Sequence, residues 1–113
     1  MSEYIPDRWV VIHIVPHADY PNAVAHYRVF ASWYGGYCQE ESWRMNSGIV
    51  RADEDERFYY FYGETGSVYK CPKFGYGFTS YGASVLSKMK EEATGLDIYV
   101  QDGETDFCTL EYK

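Results

Sequence analysis

The chain has 113 residues, a length that suits one domain spanning 1–113 and lets it bury about two-thirds of its unfolded surface without a staple. Apolar residues make up 46% and aromatic residues 19%, with 13 tyrosines, which excludes a disordered chain and favours strands. The net charge of −7, from 17 acids against 10 Lys and Arg, repels phosphate backbones; it argues against a generic nucleic-acid binder and leaves a basic protein surface open as a partner.

Residues 8–15, RWVVIHIV, read as a strand that Pro16 ends, and HADYPNA after them as a loop. Residues 26–34 alternate, with Tyr27, Val29, Ala31 and Trp33 as the uncharged core face, and Gly35 and Gly36 turn the chain. Residues 42–50 alternate again, and Gly48 inside them signals a bulge or a close backbone approach. ADEDE at 52–56 reads as an acidic turn, RFYYFY at 57–62 as a strand with rings on both faces, GETG as a hairpin turn and SVYKC as its partner strand. After an irregular stretch with Pro72, a helix starts near Thr79 or Ser80, with Ser80 able to cap it. Gly82, Leu86, Met89 and Ala93 form its buried stripe, and Gly95 ends it at C′. LDIYVQ at 96–101 is expected as a strand with Leu96, Ile98 and Val100 inward, the DGET turn follows, and FCTLEY at 107–112 is expected as the last strand. The order implies an α+β fold, a mainly antiparallel twisted sheet of about 6–7 strands with one helix near residues 80–94.

Chemical motifs are absent. Cys38, Cys71 and Cys108 are odd in number and form no C-x-x-C, so neither a disulfide framework nor a zinc ribbon is expected, and a reducing cytosol is. The apolar run Trp9 to Ile12 is too short for a signal segment or a membrane span. His13 and His17 are four apart, but Pro16 between them keeps them off one helical face. The acids 53–56 fail the calcium-loop pattern, because the sixth position from Asp53 is Phe58. No nucleophile elbow, phosphate loop or dinucleotide fingerprint occurs, so no enzyme, metal or cofactor is expected.

Aromatic residues are the informative set. Trp33, Tyr34 and Tyr37 cluster around the Gly-Gly turn, Trp43 and Arg44 follow, and Tyr59 lies on the next hairpin with Tyr60, Tyr62 and Tyr69. A sheet buries one face, so rings on both faces leave some in contact with solvent or with a partner. Exposed Tyr, Trp and Arg match the composition of binding hot spots, whereas two-sided packing with hydroxyls at the rim accounts for single tyrosines. Trp33, Tyr34, Tyr37, Trp43, Arg44 and Tyr59 are therefore the candidate contact residues. The same rings serve a protein interface, a nucleotide pocket in which Arg28, Arg44 and Lys70 hold phosphates, or a homodimer seam.

The runs YRVFASWYGGY, ESWRMNSGI, FYYFYGETGSVYKC and YGFTSYGASVLSKM, within about residues 8–94, resemble small uncharacterised proteins of tailed bacteriophages. The resemblance implies a phage origin and the cytoplasm of a bacterial host; it carries no motif chemistry and no functional residue. With the acidic charge and the surplus rings, it leads to the expectation of a non-enzymatic phage protein that binds and inhibits a host protein, a defence component such as a CRISPR effector among them. A nucleotide-sequestering protein and a virion or assembly component are the alternatives.

Overall fold

A computed structural model describes residues 2–18, 24–35 and 42–112. Tyr37, Cys38 and most of the expected turns at 17–23 and 35–36 lie outside them. In chain order the elements are β1 (Glu3–Tyr4), β2 (Arg8–Pro16), β3 (His26–Trp33), β4 (Ser42–Met45), β5 (Ile49–Glu54), β6 (Phe58–Gly63), β7 (Val68–Pro72), a 3-10 turn (Lys73–Gly75), α1 (Ser80–Glu92) and β8 (Leu96–Val100).

The expected α+β class holds, but the single sheet does not. The strands form two four-stranded sheets, β1-β7-β6-β5 and β4-β3-β2-β8, antiparallel except for the β1–β7 pair. The reason lies in β2 and β3, which are apolar on both faces and so need cover on both sides. Val10, Ile12, Ile14 and Phe30 pack with Leu86 of α1. Trp9, Val11, Val29 and Ala31 pack with Ile49, Phe61, Tyr69 and Cys71 of the other sheet. One 13-residue helix covers only one face, and the β1-β7-β6-β5 sheet covers the other. The layers are thus sheet, sheet, helix. Reading Tyr27, Val29, Ala31 and Trp33 as the sole core face of β3 missed that Phe30 and Ser32 are buried on the opposite side.

The stretch 42–50 splits into two strands because the chain crosses between sheets at Asn46–Gly48. Buried Asn46 holds the crossing: its Oδ1 accepts from the Val29 backbone amide at 2.9 Å and its own backbone N–H donates to Val29 O at 3.1 Å. Gly48 has φ +136°, and a register shift follows between Ile49 and Arg51, so the bulge signal was sound. The acidic run 52–56 is only partly a turn. β5 continues to Glu54, and Asp55 Oδ1 turns the chain by accepting from the Arg57 and Phe58 amides, each at 2.8 Å.

Thr79, not Ser80, caps α1: its hydroxyl accepts from the Gly82 amide at 2.9 Å. Gly82 and Leu86 are buried, as the stripe predicts. Ala93 is the C-cap, and Gly95, with φ +80°, follows one residue later than expected. Leu96 and Ile98 pack toward the helix, whereas Val100, at the end of an edge strand, is 37% exposed. The strand expected at 107–112 is a series of turns. Asp106 ties them through the Cys108 and Thr109 amides, and fully buried Phe107 enters the core between the sheets.

Phe107 joins a cluster centred on Trp9. The indole lies 4.7 Å from Tyr76, 5.5 Å from Phe61 and Phe107 and 5.8 Å from Tyr59, centroid to centroid, and its Nε1 donates to Pro72 O at 2.6 Å. Trp9→Ala removes this hub and is expected to cost about 3–5 kcal/mol in urea unfolding; unchanged stability would contradict it. A Cβ on Gly82 would lie 2.9 Å from Ser32 Oγ and 3.0 Å from Ser32 Cβ, because α1 rests closely on β3 there. Gly82→Ala is therefore expected to lower the denaturation midpoint by about 1–3 kcal/mol of stability, despite alanine's higher helix propensity; a rise in midpoint would show that the helix lifts off freely.

Candidate recognition surface

Alternation along β6 sends Tyr59 and Phe61 into the core and Phe58, Tyr60 and Tyr62 to the outer face of the first sheet. Cross-strand pairing then decides what surrounds these rings. Tyr60 sits between Asp53 of β5 and Lys70 of β7, Tyr62 between Arg51 and Val68, and Phe58 opposite Pro72. The cations lie against the rings. The Arg51 guanidinium is 3.7 Å from the Tyr62 centroid, and the Lys70 ammonium is 4.5 Å from that of Phe58 and 5.9 Å from that of Tyr60. Their stems leave the rings half-buried with no element of the described residues over them. Arg51 also pairs with Asp53 at 2.6 Å.

A depression of about 430 Å³ opens at the Phe58 end of this row, lined by Asp55, Glu56, Arg57, Phe58, Tyr60 and Lys70. The Tyr60 hydroxyl donates to Asp55 Oδ2 at 2.6 Å. That bond, together with the Arg57 and Phe58 amides, brings the Asp55 carboxyl pKa down to about 2. The same bond raises the Tyr60 phenol. Asp55 thus stays ionised, and the hairpin tip is held by one carboxylate.

The residues singled out from sequence do not gather in one place. Trp33 is half-buried and its indole donates to Ile5 O at 2.8 Å. Tyr34 is half-exposed; its hydroxyl accepts from Arg8 Nε at 2.8 Å and its amide donates to Asp7 Oδ2 at 2.9 Å. Trp43 lies on the helix side of β4, stacked at 5.4 Å on Phe30, while the neighbouring Arg44 lies on the opposite face, 4.6 Å from the Tyr4 ring. Adjacent residues of a strand must point apart, so Trp43 and Arg44 cannot share a surface. Tyr59 faces inward, with its ring against Trp9 and Phe107. Tyr37 lies outside the described residues. Arg28, Arg44 and Lys70 are equally scattered, since Arg28 bonds His26 Nε2 at 2.9 Å on β3.

The strand RFYYFY carried the signal for the surface that does form, but period two alone does not say which of its faces is the core. The two thiols of the described residues, Cys71 and Cys108, offer little chemistry. Burial pushes the Cys71 thiol up, and burial together with a hydrogen bond to Glu54 raises that of Cys108 to about 11, opposite to what a nucleophile or a metal ligand needs. Glu54, Asp106 and Cys108 bring ligand atoms within 4.8 Å of one another, yet Glu54 is paired with Lys73. His13 stacks on Tyr27 at 4.2 Å and His17 pairs with Asp97 at 3.3 Å, so the two histidines do not converge. No helix of the described residues is long and apolar enough to cross a membrane.

Because the folded Asp55 pKa lies below its ordinary 3.8, its contribution to stability is present above about pH 4 and is lost as pH falls through about 2. Asp55→Asn is therefore expected to be less stable than the native chain at pH 6, with the difference shrinking between about pH 4 and 2 in urea unfolding; a pH-independent difference would contradict it. Compared with protein-family models, with curated proteins and with solved structures, the chain matches none.

Proposed function

We propose that this chain is a non-enzymatic recognition protein that binds and inhibits a protein of a bacterial host, and that the outer face of the first sheet is its contact surface. The observation that carries the reading is the row Phe58, Tyr60 and Tyr62, aligned on one solvent-facing strand with Arg51 and Lys70 against the rings. Tyr and Arg on a rigid sheet lose little conformational freedom on docking and dominate interface energetics. The face also carries Glu3, Asp53, Asp55 and Glu56, which disfavour a phosphate backbone and suit a protein of mixed or basic charge. The resemblance of the sequence to small tailed-phage proteins supplies the host, and a defence component is the class of target that fits a small binding protein without catalytic groups.

A nucleotide is the second reading, favoured by the depression beside Phe58 and Tyr60, where Lys70 stands over the rings. Asp55 and Glu56 on its rim weigh against phosphates.

The test compares the native chain with Tyr60→Ala/Tyr62→Ala, both checked for equal thermal unfolding apart from a small shift. The native chain is expected to retain a host protein, and the double variant to bind it roughly 30-fold more weakly or worse, the equivalent of about 2 kcal/mol at a hot spot. Equal affinity of the two, or stabilisation by a nucleotide panel with no protein retained, would overturn the reading.

A further inference from the structure

Phe74 stands out from the rest of the surface. It is 83% exposed, the most exposed large apolar side chain of the described residues. Its backbone is nevertheless held firmly. The preceding Pro72 carbonyl accepts from the Trp9 indole at 2.6 Å, and the Lys73 amide donates to Arg57 O at 2.8 Å. On the other side, a Cβ on Gly75 would lie 2.9 Å from Asp7 O, and the Gly77 amide donates to Trp9 O at 2.8 Å. The ring is thus presented to solvent by a turn that the core itself fixes, which removes much of the ordering cost of docking.

Two acidic loops bracket this turn. The β5–β6 hairpin lies beside Lys73, through Arg57 O and the Lys73–Glu54 pair, and carries four carboxylates from Asp53 to Glu56. The C-terminal turn packs on Tyr76, where a Cβ on Gly103 would lie 2.8 Å from the ring, and carries Asp102, Glu104 and Asp106. The loops meet where Glu54 and Asp106 approach Cys108. Seven carboxylates therefore stand against four cations, Arg51, Arg57, Lys70 and Lys73, a surplus of three out of the net −7 of the chain. The turn also continues the ring row, since Phe58 is the cross-strand partner of Pro72.

We propose that Phe74 is the anchor of this recognition surface and enters an apolar pocket with a basic rim on a partner protein, the rim being met by the carboxylates of the two loops. The partner is a protein and not a nucleic acid, because the charge that attracts Lys and Arg repels phosphate. The inference rests on the reading of the chain as a protein-binding module and adds the chemistry of the partner.

The test places the photo-crosslinking residue p-benzoylphenylalanine at position 74 of the full chain in bacterial cells, with the same residue at exposed Tyr99 as the control. The expected result is an adduct from position 74, absent from position 99, mapping to an apolar site flanked by Lys and Arg. With that protein purified, Phe74→Ala is expected to weaken binding about tenfold or more without moving the thermal midpoint, and raising salt from about 50 to about 500 mM is expected to weaken the native complex. No adduct, an adduct to a second copy of this chain or to nucleic acid, or a mapped site without basic residues would overturn the proposal. If Tyr60→Ala/Tyr62→Ala abolishes binding while Phe74→Ala leaves it intact, the anchor is refuted and the wider reading stands. If neither variant changes binding, both fall.

Discussion

The indole of Trp9 ties together parts of the chain that are far apart in sequence. It comes from the second strand, yet its ring meets Tyr59 and Phe61 from β6, Tyr76 from the loop before the helix and Phe107 from the C-terminal turns, while its N–H holds Pro72 at the end of β7. Edge-to-face contacts of this kind favour defined ring geometry beyond simple burial. Both sheets, the 3-10 turn and the C-terminal segment are therefore positioned by one side chain, and the surfaces they carry inherit its rigidity.

Tyr76 relays this order outward. Its hydroxyl accepts from the Val11 amide at 3.2 Å and donates to Gln101 O, so it pins β2 to the start of the C-terminal segment. Burial raises the phenol to about 12, which keeps the donor protonated around neutral pH. Tyr112 donates to Phe107 O in the same manner, and burial raises its phenol too. These hydroxyls stand in for a strand ladder: the segment makes turns, and two half-buried tyrosines hold its carbonyls.

Part of the acidic balance and part of the ring surplus meet around the β5–β6 hairpin and the 3-10 turn, whereas Tyr34, Trp43, Tyr81 and Tyr99 are exposed elsewhere. Aromatic residues on the inner face of β6 form the core, those on its outer face are shielded by Arg51 and Lys70, and Phe74 has no such cover. The carboxylates there come from two segments nearly fifty residues apart. For the partner proposed above, a surface of this composition would combine an apolar contact with long-range steering.

Composition, propensity and period determined the positions of β2, β3, β6, β7 and α1: β2 and β3 are apolar runs buried on both faces, whereas β6, β7 and α1 bury residues at their element's own period. The two-residue strand β1 carries no period to read, and FCTLEY has a strand's composition but forms turns, since Phe107 had to fill the space between the sheets. The excess of rings over core positions was legible, whereas the location of that excess was not. Trp33, Trp43, Arg44 and Tyr59 look adjacent or equivalent in sequence, but opposite strand faces and the sandwich interior separate them. Phe58, Tyr60 and Tyr62 became the outer row only because the second sheet claimed the other face of β6. Which face of a two-sided aromatic strand meets water is settled by what packs on it, and that packing arises from residues distant in the chain, a relation that local periodicity does not encode.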